Sequence, residues 1–544
     1  MFAVKASRFA TKGAEMRANQ RALISVSDKR GIVELATVLF EHGWEIVSSG
    51  GTSRHLVEAG IPVRTVEEVT GFPEILGGRV KTLHPKIHGG ILADQDSDAH
   101  MQELFDHSIY PFDMVVVNLY PFEETVADRT VAFRDAIEQI DIGGVALIRA
   151  AAKNHSHVLV VTSPEQYGFV IRCLSEDVGF NALERLQLAY KAFLHTAWYD
   201  ATISDWLAER LEFPSFPDRM VQRLQKKCDL RYGENPHQPG AFYELPGLNC
   251  YTAANAKQIW GKPLSATTVL DINAGIETVR DLSPEFAVAI IKHGTPCGVA
   301  MDSFSPLKAF QNALACDPES AFGGVVVLNF QVTEEVAETI CVQKVDAIVA
   351  LDFSPEAMEH ITKKRARAET PLFKLGGELS CSMPFGTLNF KPVTGGMVVQ
   401  LMDTELFDCR SFRCVTKLGV KDRYWSDISF GCNVSKHVKS NSVIVVWNGQ
   451  TIGIGNGQTS RIKSARLALE QAMNNMEAQN MDLHHAVLVS DSFFPFDDCV
   501  RLADTFGVKT IVQQGGSIRD QDSIRSADKL GIAMLFTDRR MFWH

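Results

Sequence analysis

The chain alternates short apolar runs with amphipathic stretches, and this pattern predicts buried strands separated by helices. Ala22 to Val26, Met114 to Leu119 and Val158 to Val161 have the length and composition of buried strands. Hydrophobic positions recur at helical spacing from Val33 to Phe40 and again from Val145 to Ala152. Alternating strands and helices predict one parallel α/β domain in the first part of the chain.

The second half of the chain has the same alternation, and two of its strand runs end at a turn. Val443 to Trp447 is followed by Asn448-Gly449, a hairpin signal that leads into Ile452-Gly453-Ile454. The apolar run Phe286 to Ile291 ends in Lys292-His293-Gly294. Residues 285–330 and 440–515 look alike, so we expect an internal duplication.

Lys292 and His293 form a candidate catalytic pair at the end of this strand run. Neighbouring side chains on a strand point to opposite faces, so the pair shares one site only if the backbone turns between or just after them. Gly294 permits that turn. A polar strand end without chemical function is the alternative interpretation. Open α/β sheets carry their chemistry where strands end, which makes this stretch the first candidate site.

Composition narrows the class of protein. The chain has 544 residues, 45% hydrophobic and 22% charged, and this length predicts roughly two to four soluble domains. A net charge of −11 argues against general affinity for nucleic acid or membrane surfaces, but not against local phosphate pockets. Eleven cysteines without a close Cys-x-x-Cys pair favour a reducing compartment and no zinc ribbon. We therefore expect a cytoplasmic protein with no nucleic-acid partner, no membrane partner and no metal.

Residues 1–20 differ from the rest of the chain and predict a flexible leader. They carry Lys5, Arg8, Lys12 and Arg17 against the single acid Glu15. A basic, acid-poor leader is typical of an organelle import signal, and a disordered extension has the same composition. Both interpretations stay open at this point.

The first domain offers several elements that suit an anion. Two successive strands lead into small, hydroxyl-rich loops, residues 25–29 and 49–52, each followed by a helix start. Such loops present free backbone N–H groups and the positive end of a helix dipole. Farther on, residues 77–90 hold cations and imidazoles between two glycine pairs. This part of the chain is typical of a nucleotide- or phosphate-handling unit.

A family resemblance rests on twelve motifs in order. The first six are SVSDK at 25–29, SGGT at 49–52, RVKTLHP at 79–85, NLYPF at 118–122, QIDIGG at 139–144 and AAKNH at 151–155. The others are RYGENPHQ at 231–238, KH at 292–293, SAFGG at 320–324, SNS at 440–442, GQTSR at 457–461 and SDSFFPF at 490–496. From about Arg21 to His544, the chain resembles the bifunctional purine biosynthesis enzymes that combine AICAR transformylase with IMP cyclohydrolase.

The resemblance implies an α/β fold with two catalytic regions. An N-terminal, methylglyoxal-synthase-like parallel α/β domain would span residues 21–212 and carry the cyclohydrolase. A linker would follow at 213–228. A duplicated, cytidine-deaminase-like α/β transformylase region would span 229–544, with subdomains at about 229–400 and 401–544.

The implied reactions are the last two steps of de novo IMP synthesis. The first moves a formyl group from the co-substrate 10-formyltetrahydrofolate to AICAR and gives FAICAR. The second closes the ring of FAICAR with loss of water. The family has no tightly bound cofactor, and it builds its transformylase sites across the interface of a homodimer. A homodimer that binds AICAR, FAICAR, IMP and folate is therefore expected.

The resemblance also assigns roles to residues. Transformylase catalysis would use His293 as the base, Lys292 to stabilise the oxyanion or protonate the departing folate nitrogen, and Asn441 to hold the formyl oxygen. Cyclohydrolase catalysis would use Lys81, Tyr120, Asp141 and Lys153. AICAR and folate would be held by Arg231, Tyr232, Gly323, Asp346, Arg461, Phe493, Asp498 and Arg540. The cyclohydrolase substrate would be held by Ser25, Ser27, Lys29, Ser49, Gly50, Gly51, Thr52, Arg79 and Thr82.

Some of these expectations also follow from the residues themselves. A neutral imidazole suits proton abstraction from a weakly nucleophilic amine, and an arginine suits bidentate phosphate binding. Asp346 interrupts the apolar run from Val342 to Leu351, where a carboxylate is costly unless it meets a donor. A ligand N–H is a reasonable donor there.

The chain departs from the family pattern near its presumed base. Gly294-Thr295 follows Lys292-His293, where bacterial members usually have asparagine immediately before Pro-Cys-Gly, and Thr267-Thr268 replaces two frequent asparagines. Two other functions compete with the bienzyme. One is a nucleotide-binding regulator with a dead site, which the intact lysines and His293 disfavour. The other is a zinc deaminase, but Ala300 stands where the Pro-Cys-x-x-Cys signature needs its second cysteine.

Overall fold

The computed structural model describes residues 20–211, 216–248, 250–282, 284–363, 369–376, 387–477 and 482–544. The predicted leader, apart from Gln20, and linker residues 213–215 lie outside the described residues. The chain divides into two compact units, with the boundary between Arg223 and Leu224. This boundary falls inside the stretch expected to be the linker, although a strand already begins at Gln225.

The first unit is built on one parallel sheet of five strands in the order β3-β2-β1-β4-β5. Its strands are β1 (Arg21–Val26), β2 (Glu45–Ser48), β3 (Arg64–Thr65), β4 (Met114–Asn118) and β5 (Leu159–Val161). The central strands β1 and β4 are buried along almost their whole length, as expected for strands covered on both faces. β1 pairs with β2 on one side and with β4 on the other, so the ends of these three strands lie together.

Ten helices of the described part of the first unit connect and flank these strands. They are α1 (Ile32–Glu41), α2 (Gly50–Glu58), α3 (Val66–Thr70), α4 (Pro85–Leu92), α5 (Asp98–Asp106), α6 (Phe122–Ala127), α7 (Phe133–Glu138), α8 (Gly143–Lys153), α9 (Tyr167–Ser175) and α10 (Ala182–Arg210). The predicted helices around Val33–Phe40 and Val145–Ala152 are confirmed as α1 and α8.

The second unit is built on a mixed sheet of 12 strands. Its strands, with those of three small two-stranded sheets, are β6 (Gln225–Leu230), β7 (Gly240–Glu244), β8 (Lys257–Trp260), β9 (Phe286–Lys292), β10 (Thr295–Asp302), β11 (Val325–Leu328), β12 (Gln331–Val332), β13 (Ala347–Ala350), β14 (Asp352–Phe353), β15 (Leu372–Lys374), β16 (Leu388–Val393), β17 (Gly396–Leu401), β18 (Arg413–Cys414), β19 (Val443–Trp447), β20 (Gln450–Gly455), β21 (Val487–Ser490), β22 (Thr510–Gln513) and β23 (Ala533–Phe536).

Helices cover this sheet in its described part. They are α11 (Ala266–Arg280), α12 (Pro306–Cys316), α13 (Pro318–Ala321), α14 (Glu334–Ile340), α15 (Pro355–Lys363), α16 (Trp425–Ser435), α17 (Arg461–Glu477), α18 (Asp498–Thr505) and α19 (Asp520–Leu530). No helix among the described residues of either unit is long and apolar enough to cross a membrane.

The strand order of the large sheet shows the expected duplication. The sheet runs β18-β23-β22-β21-β19-β20-β10-β9-β11-β13-β15-β8. In one half, the hairpin β9–β10 is followed by β11, antiparallel to β9, and then by the parallel strands β13 and β15. In the other half, β19–β20 is followed by β21, antiparallel to β19, and then by β22 and β23. The halves meet where β10 pairs with β20.

Asp346 differs from its expected environment. It precedes β13 instead of interrupting a buried strand, and its side chain is exposed. The apolar run from Val342 therefore does not form one strand, and Val342 is itself 81% exposed. The prediction of a costly buried carboxylate is wrong, because the strand begins only after the acid and the Asp346 side chain is exposed.

Candidate active sites

The first unit contains a cleft of about 670 Å³ at the carboxyl ends of β1, β2 and β4. It is lined by all but one of the residues that the sequence predicts for the cyclohydrolase: Ser25, Ser27, Lys29, Ser49, Gly50, Gly51, Thr52, Arg79, Lys81, Thr82, Tyr120 and Asp141. They come from five separate stretches of the sequence. The sheet gathers them because neighbouring parallel strands end at the same edge.

Hydrogen bonds hold the two small-residue loops of the cleft in shape. Asn118, at the end of β4, accepts the N–H groups of Ser27 at 2.6 Å and Asp28 at 2.9 Å through Oδ1. Thr52 Oγ1 accepts the N–H of Val26 at 3.1 Å and donates to the carbonyl of Val26 at 2.9 Å. Asn118 was not among the predicted site residues. Its position at the end of a strand run, which the sequence shows, was the signal that could have found it.

The N-terminus of α2 opens into this cleft and is not capped by its own chain. Ser49 is the N-cap residue, but its side chain accepts no backbone N–H, so the first turn retains unpaired donors. Gly50 has φ +52°, and a Cβ built on it would lie 3.3 Å from Lys81 Nζ. A glycine here brings the backbone close to the lysine, and together they suit an anionic group.

Asp141 occupies a half-buried position just before the start of α8. Its Oδ1 accepts the N–H of Gly144 at 2.7 Å, and its own N–H donates to the hydroxyl of Tyr199 at 2.8 Å. Burial raises the pKa of Asp141, while the N–H groups of Gly144 and Gly143 and the charge of Lys81 oppose this shift. Burial also raises the pKa of Tyr199 to about 12. The site thus holds a carboxyl group that binds a proton more readily than an ordinary aspartate.

Lys153 is the exception among the predicted cyclohydrolase residues. It lines a neighbouring groove of about 910 Å³ between α8 and α10, together with Arg149, His155 and Tyr190. Asp141 lines both the groove and the cleft. Lys153 is the last of the 11 residues of α8, so it lies about 16 Å along the helix from its start.

In the second unit, Lys292 ends β9 and His293 begins a two-residue turn. His293 has φ +56° and Gly294 φ +71°, as the hairpin turn with two left-handed residues requires. Lys292 Nζ donates to the carbonyl of Phe322 at 2.6 Å, and the His293 side chain is exposed. The predicted turn at Gly294 is confirmed, and it presents an imidazole at the tip of the hairpin.

Gly323 and Asp346 lie beside this turn. Phe322, whose carbonyl binds Lys292, directly precedes Gly323, and a Cβ built on Gly323 would be 4.0 Å from Asp346 Oδ1. Asp346 also belongs to a charged group with His293, Asp271 and Lys439. The structure therefore brings Lys292, His293, Gly323 and Asp346 together, as predicted.

Asn441 and Arg461 form a second, connected cluster. Arg461 is 9% exposed; its Nη2 donates to Asn441 Oδ1 at 2.8 Å, and its Nη1 forms an ion pair with the fully buried Asp491. The Nδ2 of Asn441 donates to the carbonyl of Gln458 at 2.9 Å. Arg461 thus orients the Asn441 amide. Asp491 was missed as a functional residue, because its partner is distant in sequence.

The remaining predicted transformylase residues are exposed or half-buried around these clusters. Phe493 is 37% exposed, whereas the adjacent Phe494 is fully buried. Asp498 begins α18, and its Oδ1 accepts its neighbour's N–H at 2.8 Å. The Arg231 guanidinium lies over the ring of Tyr232, with 4.7 Å from Cζ to the centroid.

The C-terminal segment is docked on the Asn441 strand end. The N–H of Ser440 donates to the carbonyl of Trp543 at 2.9 Å, and the N–H of Met541 donates to the carbonyl of Asp491 at 2.8 Å. These bonds hold the segment that contains Arg540, the last predicted AICAR contact. The guanidinium of Arg540 lies 4.4 Å from the ring centroid of Phe542.

Cys297, on which the alternative interpretation as a zinc deaminase rests, has a structural role. Cys297 Sγ donates to the carbonyl of Ile290 at 3.3 Å, and burial raises the pKa of its thiol to about 12. Among the described residues, Asp94, Asp96 and His157 of the first unit form a group that could hold a metal ion, and this group does not include Cys297. Thr267 and Thr268 contact Ser265 Oγ with their hydroxyl groups, both at 2.9 Å, at the start of α11.

Comparison with known proteins agrees with two functional regions. A family model described as an MGS-like domain matches residues 31–146, and one described as AICARFT/IMPCHase bienzyme matches residues 151–471. Proteins called bifunctional purine biosynthesis protein PurH are similar over 96% of this chain and 100% of their own lengths, with 46% identity in Anoxybacillus flavithermus and 44% in Persephonella marina. A crystal structure of ForH covers 35% of this chain and 98% of its own at 35% identity, with a TM-score of 0.31.

The fold and the matching family models define an α/β enzyme with an MGS-like domain followed by an AICARFT/IMPCHase region. The chain belongs to the AICARFT/IMPCHase bienzyme family. It is a bifunctional enzyme of purine biosynthesis.

Proposed function

We propose that this chain joins its two reactions through FAICAR, which the second unit makes and the first unit consumes. The second unit formylates AICAR with 10-formyltetrahydrofolate as co-substrate, and the first unit closes the ring to IMP. The observation that carries the proposal is the convergence of predicted residues in each unit: twelve around one cleft, and Lys292, His293, Gly323 and Asp346 around one turn.

Formyl transfer needs a base and a donor at the same carbon. The 5-amino nitrogen of AICAR forms a bond to the formyl carbon, and its proton passes to the His293 imidazole. Lys292 stabilises the oxyanion that develops on the formyl oxygen. The bond from this carbon to the folate nitrogen then breaks, and that nitrogen takes a proton to give tetrahydrofolate. Asn441 donates from the second Nδ2 hydrogen, because Arg461 binds its Oδ1 and thereby fixes the amide orientation.

Ring closure needs polarisation of the formyl oxygen and transfer of protons. The carboxamide nitrogen of FAICAR attacks the formyl carbon, and the formyl oxygen leaves as water after it has gained two protons. The cationic Lys81 stabilises the negative charge on this oxygen. Asp141, whose pKa burial raises, is suited to donate and accept a proton during ring closure. The free N–H groups at the start of α2 bind the phosphate.

The direct test incubates the protein with AICAR and 10-formyltetrahydrofolate and follows tetrahydrofolate release and IMP formation together. We expect both products in equal amounts. Formylation without IMP would contradict the cyclohydrolase assignment. Cyclisation of supplied FAICAR without turnover of AICAR would contradict the transformylase assignment.

The oligomer and the cellular location belong to the same proposal. A homodimer, with transformylase sites completed across its interface, is supported by the exposure of Arg231, Phe493 and Arg540. Sedimentation at micromolar concentration is expected to give a dimer, and a monomer with full transformylase activity would contradict this. A cytoplasmic location is supported by the free cysteines of the described residues. A fluorescent fusion of the full chain tests it against organelle import through residues 1–20.

A further inference from the structure

The two halves of the second unit hold their hairpin turns with an aspartate in the same way. Asp271 Oδ1 accepts the N–H of Gly294 at 2.5 Å. Asp427 Oδ1 accepts the N–H of Gly449 at 2.8 Å, and its Oδ2 accepts the N–H of Asn448 at 3.0 Å. In both halves the acid comes from the helix that precedes the hairpin, α11 or α16.

A short repeated sequence accounts for this common arrangement. Asp271 and Asp427 each begin an Asp-Ile-x-x-Gly sequence. The glycines, Gly275 and Gly431, let the helix pack closely on the sheet: a Cβ on Gly431 would be 2.8 Å from Val489 Cγ2, and one on Gly275 would lie still closer to Val327 Cγ2. The aspartate therefore has the same structural origin in both halves.

The turns differ in what the carboxylate faces. Asp427 uses both oxygens on the backbone of its turn. Within the described residues, the backbone of the His293 turn engages only Oδ1 of Asp271, and the carboxylate also interacts electrostatically with the His293 imidazole. On the other side of this turn, Lys439 Nζ donates to the carbonyl of His293 at 2.9 Å.

We propose that Asp271 is a positioning residue for His293. It fixes the turn that presents the imidazole, and its negative charge stabilises the imidazolium formed when His293 takes the proton of the attacking amine. Asp271 itself makes no contact with substrate in this scheme. The inference rests on the proposed formyl transfer and adds to it the group that supports the base.

The charges around His293 make this role necessary. The side chains of Lys292 and Lys439 lie next to the turn. Their positive charges disfavour a further positive charge on the His293 imidazole. Asp271 and Asp346 are the acids in the same group, and Asp271 is the one that is bonded to the turn. Its carboxylate therefore places a negative charge at the turn that opposes the two lysines.

The test compares Asp271→Asn with the matched control Asp427→Asn, using the pH profile of transformylase kcat/KM in the full-length protein. Asparagine keeps an acceptor for the Gly294 N–H and removes only the charge. We expect the acidic limb for Asp271→Asn to move to lower pH by about one unit. Its plateau should fall about tenfold, with an unchanged KM for AICAR. The Asp427→Asn variant should keep the wild-type limb and plateau.

Other results of this comparison would contradict either the role of Asp271 or the proposed formyl transfer. An unchanged limb for Asp271→Asn, or an equal loss at every pH, would overturn the inference, because a purely structural role produces no displacement. A wild-type protein that does not formylate AICAR would overturn the proposed function instead. Cyclisation of supplied FAICAR reports the integrity of each preparation. If Asp271→Asn fails to fold, Asp271→Glu keeps the charge and should retain the wild-type limb; a displaced limb would contradict the inference.

Discussion

The two hairpins of the second unit have the same backbone but different chemistry. His293-Gly294 has φ values of +56° and +71°, and Asn448-Gly449 has +51° and +73°. Asparagine is a usual residue at the first position of such a turn, whereas histidine visits this conformation less often. The comparison teaches that one changed residue in a repeated structural turn places an exposed imidazole there, while the aspartate that holds the turn is retained.

The residues that follow β11 and β21 also differ between the two halves, but here the charged side chain lies in the second half. In the first half, Asn329 Oδ1 accepts the N–H of Ala287 at 2.8 Å. In the second half, Asp491 Oδ2 accepts the N–H of Ser442 at 2.9 Å and also pairs with Arg461. Asp491, the strand-end residue that also forms an ion pair, thus lies in the half that carries Asn441. One half supplies the turn and the other supplies the ion pair, and the proposed transformylase site uses both.

Asp491→Asn, which copies the Asn329 arrangement, should have the largest effect on stability. It removes one member of a buried ion pair and leaves Arg461 without its counter-charge. We expect a loss of about 3–5 kcal/mol in the free energy of unfolding of the second unit, measured by urea denaturation. A loss below about 1 kcal/mol would show that Arg461 finds another partner. It would contradict the claim that the Asp491 ion pair distinguishes this strand end from that of Asn329.

Much of the fold is predictable from the sequence because its strands are short, apolar and bounded by turn residues. Val443–Trp447 is a strand with the predicted bounds, and the strands predicted at residues 22–26, 114–119 and 158–161 agree with β1, β4 and β5 to within one residue. The cleft loops at residues 25–29 and 49–52 were predictable because each follows a strand, whereas residues 79–82 and Asp141 follow helical segments and were assigned through the family resemblance. By contrast, the position of Lys153 depends on the length of α8, and the run around Asp346 does not reveal where its strand begins. Neither property is visible in a short pattern.

The partners of Asp271 and Asp491 could not be read from the same patterns. Asp271 reaches Gly294 across 23 positions, and Asp491 reaches Arg461 across 30. Such contacts depend on strand order and register. The Asp-Ile-x-x-Gly repeat was a sequence signal that could have pointed to Asp271, since it occurs ahead of both hairpins, but Asp491 does not belong to such a repeat.

The paired glycines provide a second, smaller comparison. Gly275→Ala and Gly431→Ala each push a methyl group against a valine of the sheet. We expect each to cost about 1–3 kcal/mol, with the larger loss at Gly275 because its contact is closer. The measurement is urea unfolding of both variants side by side. Neutral effects at both positions, or a larger loss at Gly431, would contradict this account of how the two helices pack on the sheet.

The smallest expected effect is a change in how stability depends on pH, caused by Asp427 at the Asn448-Gly449 turn. Burial raises the pKa of Asp427, and its bonds to Gly449 and Asn448 oppose this shift. A carboxyl group with a raised folded pKa contributes stability below its ordinary unfolded value near 3.8, and this contribution is lost as the pH rises through the folded value.

The Asp427→Asn variant lacks this titration. Its unfolding temperature relative to the wild type should therefore increase as the pH rises from about 4, measured by calorimetry at a series of pH values. If the unfolding temperature of the variant relative to the wild type fell over the same pH range, the hydrogen bonds to the Asp427 carboxylate would outweigh its desolvation.

The most direct test of the division between the two turns is the transformylase rate of His293→Asn beside that of Asn448→His, with cyclisation of supplied FAICAR as the internal control. We predict that His293→Asn keeps the turn and the cyclohydrolase but loses transformylase activity by about 10²–10⁴-fold, as expected for removal of a general base. Asn448→His should retain the wild-type rate. A His293→Asn variant with full transformylase activity would contradict the assignment of the base.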